Sequence, residues 1–203
     1  MEYDANKREI KIDRELSNLD KFAVDFTYVL GNYTDYVIVA GYVSILLGRI
    51  RTTEDIDVFI KKISFEQFSK LYAELLKAGF WCINTEEEKD VFNYLKDGLA
   101  VRFSYEGIPV PNFEVKFPKD ELDEEVFKDF VTVVFPKDKM IVSSLERNIA
   151  FKRYFLGSDK DIEDAIHLEK LFKGQLNNEK IIKVKELIKN RRKWETKKSR
   201  EFS

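Results

Sequence analysis

Cysteine and histidine are almost absent from this sequence and long apolar runs are missing, which excludes several classes of protein. The one cysteine among 203 residues, Cys82, excludes an internal disulfide framework and is typical of a reducing cytosol. The one histidine, His167, excludes a histidine-based triad and a histidine-rich zinc site. No apolar run approaches the roughly 20 residues that span a bilayer, and the polar start, MEYDANKREIKID, does not resemble a signal peptide. We therefore expect a cytoplasmic protein without a membrane partner.

An excess of charge of one sign is also missing. The formal net charge is −2 at pH 7, which excludes a nucleic-acid-binding polycation. Hydrophobic residues make up 44% of the chain and aromatic residues 14%, which predicts a folded globular protein rather than a disordered one. A chain of this length can form one sizeable core, or one domain with a helical extension.

The most informative stretch covers residues 36–60. An apolar run over 37–40, rich in β-branched residues, ends at Gly41 and predicts a buried strand closed by a tight turn. Apolar residues at helical spacing then predict a short helix over 42–47. Basic and hydroxyl residues follow, and the sequence DIDVFI predicts a second strand over 55–60.

Two carboxylates open this second strand. Side chains alternate across a strand, so Asp55 and Asp57 share one face while Ile56 and Val58 share the other. A divalent cation offsets the repulsion between neighbouring acids, and oxygen ligands suit Mg²⁺. Gly41 allows a phosphate to approach the backbone, next to a helix N-terminus that can bind an anion. The pattern indicates a triphosphate–metal site; the alternative is a surface turn whose acids cap a strand.

These residues resemble the core of the DNA polymerase β-like nucleotidyltransferase superfamily. Its pattern is a hydrophobic residue, a glycine and a small residue, then a spacer, then Asp-hydrophobic-Asp/Glu-hydrophobic. This chain has AGY at residues 40–42, twelve further residues, and DIDV at residues 55–58. Tyr42 departs from the pattern, although Ser44 follows two positions later. The sequence RTTEDID at 51–57 looks most like the AbiEii/AbiGii-type toxin nucleotidyltransferases and their uncharacterised relatives.

The resemblance implies roles for residues further along the chain. Superfamily members carry a third acid on a later strand, and we assign this role to Glu114 on a predicted strand over 110–117; an ordinary solvent-facing glutamate fits equally well. The toxin family completes its site with a lysine on the penultimate helix and a K-D-x-x-D run on the next, which Lys152 and Asp161 match in order. The alternatives are a surface lysine and a helix-dipole partner.

Together these matches imply a Mg²⁺-dependent transfer of a nucleotidyl group from an NTP to an acceptor, either tRNA or a protein. The implied catalytic residues are Asp55, Asp57, Glu114, Lys152 and Asp161, of which the three on strands would bind the metal. The implied nucleotide-binding residues are Gly41, Tyr42, Ser44, Arg51 and Thr53. The closest resemblance also implies a toxin with a cognate antitoxin. Two alternatives stay open: a catalytically degenerate binding or regulatory module of the same fold, and a structural adaptor.

The fold that we expect is α+β. A small mixed β-sheet with helices mainly on one face would form residues 1–137, and a helical part over 138–203 would complete the site, as a second domain or within one compact unit. Helices are predicted over 16–30, 64–79, 86–95, 119–128, 145–156 and 158–172, with a last helix from about residue 177, and only helices are expected beyond Pro136. Strands are predicted over 80–83, 99–104, 110–117 and 130–135, besides the two described above.

The C-terminal end is basic. Residues 180–200 carry ten Lys or Arg against two Glu, with Trp194 among them. Such a segment could contact RNA phosphates or stack on a base. The alternative, which we favour, is a solvated helix face that frays into a tail.

Overall fold

The computed structural model describes the backbone of residues 1–201 and the side chains of residues 1–193. Within these limits the chain forms nine strands and eight α-helices. The strands are β1 Glu2–Asp4, β2 Glu9–Lys11, β3 Tyr36–Ile38, β4 Asp55–Ile60, β5 Phe80–Cys82, β6 Val101–Tyr105, β7 Asn112–Lys116, β8 Phe130–Val134 and β9 Lys139–Ser143. The helices are α1 Asn18–Gly31, α2 Gly41–Leu46, α3 Phe65–Lys77, α4 Glu88–Lys96, α5 Glu121–Glu124, α6 Leu145–Phe151, α7 Asp159–Leu171 and α8 Asn178–Glu201. A 3₁₀ turn follows α5 at Glu125–Phe127, and a π-helical segment, Lys152–Leu156, follows α6.

The strands form one mixed sheet with the order β1-β2-β8-β9-β3-β4-β7-β6-β5. Three neighbouring pairs are parallel, namely β2 with β8, β3 with β9, and β4 with β7, and the others are antiparallel. The parallel register of β4 and β7 places Asp55 opposite Asn112 and Asp57 opposite Glu114. Residues distant in sequence therefore become lateral neighbours on one face of the sheet.

Aromatic packing of α1 against the sheet builds much of the core. The ring of Phe26 stacks on that of Phe113 from β7 at a centroid distance of 4.2 Å, and it also meets Phe80 edge-on. On β4, the alternate residues Ile56 and Val58 are buried. Burial of apolar side chains is the main favourable term in folding, so it fixes which face of β4 turns inward and leaves the acids on the opposite face.

Helix starts follow the local sequence signals. Ser64, at which the predicted helix over 64–79 begins, caps α3: its hydroxyl accepts from the backbone N–H of Gln67 at 3.2 Å, and the side chain of Gln67 accepts from the backbone N–H of Ser64 at 3.0 Å. Such reciprocal bonds satisfy two helix-terminal donors. Ser158 and Asp161 form the same capping box at the start of α7. Each predicted helix and strand is present, with shifts of one to a few residues at its ends.

The structure corrects the expectation that only helices follow Pro136. Strand β9 lies beyond that proline and pairs with both β8 and β3. The predicted boundary between residues 137 and 138 therefore falls in the turn of the β8–β9 hairpin. Residues 1–13, to which the sequence pattern assigns neither a helix nor a strand, contain the β1–β2 hairpin, and the sheet is accordingly larger than expected.

The C-terminal helices pack around a separate apolar cluster. Ala150 of α6 meets Val184 and Ile188 of α8, together with Leu122 of α5. Gly157, in the left-handed region at φ 74°, ends the π-helical segment before α7 begins. Side chains from residue 194 onward, including that of Trp194, lie outside the described residues. Among the helices that are described, none is both long and apolar enough to cross a membrane.

Candidate active site

A cleft of about 540 Å³ lies where the sheet meets α6 and α7. Its volume is in the range of about 300–1,000 Å³ that is typical of small-molecule sites. Seven of the ten predicted site residues line this cleft: Gly41, Arg51, Thr53, Asp55, Asp57, Lys152 and Asp161. The structure thus brings together residues from one strand, the loop before it, the start of α2, the π-helical segment and α7. The other three predicted residues do not line the cleft.

Asp55 and Asp57 enter the cleft from β4, as the alternation of the strand predicts. Asp55 is exposed at the start of the strand, and the hydroxyl of Thr53 lies 3.2 Å from its Oδ1. Asp57 lies two residues further along the strand and is half-buried. Burial raises the pKa of Asp57, and the neighbouring charges of Asp55 and Glu114 act in the same direction, although the Lys116 ammonium opposes them. The single ammonium of Lys116 therefore does not offset the combined effect of burial and of the two neighbouring acids on Asp57.

Lys116, which sequence analysis missed, lies between two of the predicted metal ligands. Its Nζ is 2.5 Å from Oδ1 of Asp57 and 2.9 Å from Oε2 of Glu114. On the other side, Arg102 Nη2 donates to Oε1 of Glu114 at 2.7 Å. Burial alone would raise the pKa of Glu114, but the hydrogen bonds from Lys116 and Arg102 outweigh it and hold that pKa below its ordinary value. Glu114 is thus a carboxylate already neutralised by two cations.

This arrangement decides how a metal fits. Within the described part of the chain, no group of three His, Cys, Asp or Glu side chains is placed to hold a metal ion. The three-carboxylate site expected from Asp55, Asp57 and Glu114 is therefore not assembled, because Lys116 separates the last two. Asp55 and Asp57 still offer oxygen donors on one face of the cleft, which is the donor chemistry that Mg²⁺ prefers. These two residues fit a single ion.

A buried cluster of charges forms the opposite wall. Lys152, which begins the π-helical segment, places its Nζ 2.7 Å from Oδ2 of Asp164 and 3.6 Å from Oδ1 of Asp161. Arg51 approaches the same Asp164 with two nitrogens, at 2.9 and 3.1 Å. Asp161 also accepts from Ser158 in the helix cap. Asp164, rather than the predicted Asp161, is thus the principal partner of the lysine.

The two cations control the ionisation of Asp164. Burial alone would raise the pKa of this carboxyl, but hydrogen bonds from Arg51 and Lys152 outweigh it and hold the pKa below its ordinary value. Asp164 is the last residue of the K-D-x-x-D run, so the sequence motif already contained the acid that pairs with Lys152. Which of the two acids lies nearer to Lys152 depends on how α7 packs against the π-helical segment, and this packing cannot be inferred from the run alone.

Gly41 gives Arg51 the space that it occupies. A Cβ at position 41 would lie only 2.7 Å from Nη2 of Arg51, which is closer than real contacts allow. The preceding Ala40 has φ 60° and ψ −127°, a conformation that residues with a Cβ rarely adopt. The tight turn predicted after β3 therefore exists, and it serves to seat a guanidinium beside the backbone.

Tyr42 and Ser44 turn away from the cleft, contrary to their predicted role in binding nucleotide. Both are fully buried. The hydroxyl of Tyr42 donates to Oδ1 of Asp20 in α1 at 2.8 Å, and Ser44 Oγ has no hydrogen-bond partner within the described residues. Their positions on α2 face the core because that helix packs directly on the sheet. Tyr42 replaces a small residue of the family pattern with a buried structural side chain.

An apolar wall from α6 and the π-helical segment completes the cleft. Phe151 and Phe155 both line it, one helical turn apart, and arginines cover them: Arg147 Cζ is 4.8 Å from the ring of Phe151, and Arg191 Cζ is 5.2 Å from that of Phe155. Such cation–π contacts hold the rings in place. The periodicity of residues 145–156 predicts a helix that includes both rings, but it does not show that they face a cavity.

The single histidine and the single cysteine of the chain both lie outside the cleft. His167 contacts the backbone carbonyl of Leu47 through Nε2 at 3.0 Å, between α7 and the end of α2. Cys82 is buried in β5. Neither lines the cleft.

Comparison with known proteins supports the fold. No protein-family model matches the chain, and no curated protein does. Nine solved chains match it in three dimensions. One of them is the crystal structure of an antigenic nucleotidyltransferase-like protein from Paracoccidioides brasiliensis, which is 19% identical, with 96% of this chain and 93% of that chain covered and a TM-score of 0.51. The two chains share a fold, which confirms the expected nucleotidyltransferase-type mixed sheet with a C-terminal helical part.

Proposed function

We propose that this protein is a nucleotidyltransferase that moves a nucleoside monophosphate from an NTP to an acceptor. One observation carries the proposal: Asp55 and Asp57 share a single cleft with Arg51 and Lys152. Two acids that suit a divalent ion thus face two cations that suit phosphate oxygens. The shared fold with a nucleotidyltransferase-like protein supports the same reading.

The residues of the cleft divide by chemistry. Asp55 and Asp57 would hold Mg²⁺, which when bound neutralises charge on a triphosphate and on the leaving pyrophosphate. Arg51 would bind phosphate oxygens, since Asp164 holds its guanidinium from behind and Gly41 leaves room at its side. Lys152 would place a second cation near the reacting phosphorus. The rings of α6 and the π-helical segment would stack on the base of the nucleotide.

In the proposed reaction the acceptor oxygen forms a bond to the α-phosphorus while the bond between this phosphorus and the α–β bridging oxygen breaks. Pyrophosphate leaves with the electron pair of the broken bond, and the proton of the acceptor hydroxyl passes to water. The cations of the cleft act by stabilising the charge that develops in this step. An exposed acid such as Asp55 at the mouth of the cleft leaves space for the acceptor.

The acceptor and the partner protein are proposed from the resemblance to the AbiEii/AbiGii-type toxins. We propose tRNA or a protein as the acceptor, and a cognate antitoxin as a partner of the chain. Support comes from the residue types shared with those toxins: the RTTEDID stretch, and a lysine followed by a K-D-x-x-D run on the next helix. The contacts of Lys152 with both acids of that run support a shared role for the lysine and the run.

The test is incubation with each α-³²P-labelled NTP, Mg²⁺, and either total tRNA or a protein extract. We expect label in one acceptor with the native chain, and a loss of at least about 100-fold with Asp55→Asn or Asp57→Asn, as for other removals of charge-stabilising groups. Asp35→Asn is the matched control, because Asp35 is exposed, lies outside the cleft and, among the residues with described side chains, pairs its carboxylate with Lys61 alone. Chelation by EDTA should abolish transfer as well.

A binding or regulatory module of the same fold is the second candidate. The observation that favours it is the ion pairing of Glu114, which removes the third carboxylate from the cleft. This candidate predicts binding of a non-hydrolysable NTP analogue without transfer of label to any acceptor. Analogue binding that is unchanged in Asp57→Asn, together with no transfer, would overturn the enzymatic proposal.

A further inference from the structure

Lys116 lies on the face of the sheet that carries the acids. Residues 114 and 116 of β7 point to the same side, and the register places Glu114 beside Asp57 of the parallel neighbour β4. The long side chain of Lys116 reaches back across this pair, so that one ammonium contacts both carboxylates. It also lines the cleft. A cation is therefore built into the row of acids.

Both oxygens of Glu114 are already bound to cationic side chains. Arg102 donates to Oε1 with two nitrogens, at 2.7 and 3.0 Å, and Lys116 lies 2.9 Å from Oε2. A Mg²⁺ ion lies about 2.0–2.1 Å from its oxygen ligands. An ion bridging Asp57 and Glu114 through the oxygens that Lys116 contacts would overlap with the ammonium, so the ammonium and such an ion exclude each other.

We infer that Lys116 is a resident cation that takes the place of a second metal ion, so that the cleft binds one divalent ion, on Asp55 and Asp57. The inference rests on the proposed function, because it assumes the Mg²⁺ site at these two acids. The ammonium pairs with Asp57 and Glu114 without a metal and keeps both carboxylates in position. An ammonium has three N–H donors; two serve the acids, and the third can donate to a substrate oxygen.

The experiment counts the ions that the protein binds. Mn²⁺ alone is titrated into the full chain, and free Mn²⁺ is measured by electron paramagnetic resonance. We expect one ion per native chain. Lys116→Met removes the ammonium at similar length, and we expect a second ion between Asp57 and Glu114, a change from one to two. Lys116→Arg keeps a cation and should again bind one.

Arg102→Met is the matched control. It also removes a cation from Glu114, but Arg102 does not line the cleft, so the count should stay at one. Near-ultraviolet circular dichroism checks that each variant is folded.

Each other outcome counts against the inference. Two ions in the native chain, or one in a folded Lys116→Met, would overturn the role of Lys116 and leave the proposed transferase standing. No ion in the native chain would overturn both this inference and the metal site at Asp55 and Asp57. The two failures are therefore distinguishable, and neither depends on an activity assay.

Discussion

Asp164→Asn tests the buried charge cluster most directly. The carboxylate is fully buried and receives hydrogen bonds from Arg51 and Lys152, whose ammonium is also buried, with a side-chain exposure of 1%. The variant keeps the shape of the side chain and removes its charge. What remains near the ammonium is Asp161, at 3.6 Å. We expect the folded state to lose stability because a buried cation is left without its principal partner.

The expected loss in the free energy of unfolding follows from the burial of both partners. Breaking a buried ion pair by removing one partner costs about 3–5 kcal/mol, and the retained amide oxygen of Asn favours the lower end. With a urea dependence of about 2 kcal/mol per M for a domain of this size, a loss of about 3 kcal/mol lowers the midpoint by about 1.5 M. This shift is readily measured by far-ultraviolet circular dichroism.

Glu163→Gln supplies the matched control. It is the same change of acid to amide, one position earlier on α7, at a side chain that is 62% exposed and paired with Arg49. Exposed pairs contribute less than about 1 kcal/mol, so its midpoint should move by less than about 0.5 M. Equal shifts in the two variants would refute the view that Lys152 depends on Asp164.

The pH dependence gives an independent check. The pKa of Asp164 is lowered in the folded state, so its charge contributes stability above the unfolded value, about 3.9, and this contribution is lost as the pH falls through the folded value. The difference between native and Asp164→Asn chains should therefore be largest near neutral pH and shrink below about pH 4. A difference independent of pH would point to lost shape rather than lost charge.

Two further substitutions separate structural from functional residues. Tyr42→Phe removes the hydrogen bond to Asp20 and should cost about 1.5–3 kcal/mol in urea unfolding, while binding of an NTP analogue, measured by calorimetry, stays unchanged; weakened binding would restore the predicted nucleotide role. Gly41→Ala should displace the Arg51 guanidinium and lower transfer by about tenfold or more, whereas Gly31→Ala, whose new Cβ would meet its nearest neighbour at 3.5 Å, should leave transfer unaltered. Equal activity in these two variants would show that Arg51 need not lie where it does.

Local patterns carried most of what the sequence predicted correctly. The alternation of β4 depends only on which residues are apolar, so it placed Asp55 and Asp57 on the face opposite the core. The capping box at Ser64 depends on residues three positions apart. The capping box forms within one helix. The alternation of β4 needs only an apolar core on one side of the strand, whatever the rest of the fold is.

The residues that sequence reasoning misplaced depend on interactions between distant segments. The contact of Lys116 with Asp57 requires the parallel register of β4 and β7, which pair across about sixty residues of chain. The hydroxyl of the buried Tyr42 donates to Asp20 of α1, which lies 22 residues earlier in the chain. Strand β9 has a run of three apolar residues, Met140 to Val142, which does not by itself distinguish a strand from a helix, and its pairing with β8 and β3 holds it in the sheet.

The central position of β9 has a consequence for the way in which the chain folds. Without this strand the sheet would separate into two sets, β1-β2-β8 and β3-β4-β7-β6-β5, which no other strand of the described chain joins. A fragment that ends at residue 137 would therefore lack the centre of its own sheet. Backbone amides of the strands on both sides of β9 should therefore exchange with solvent only through a shared global opening, which makes the two sets of strands one cooperative unit.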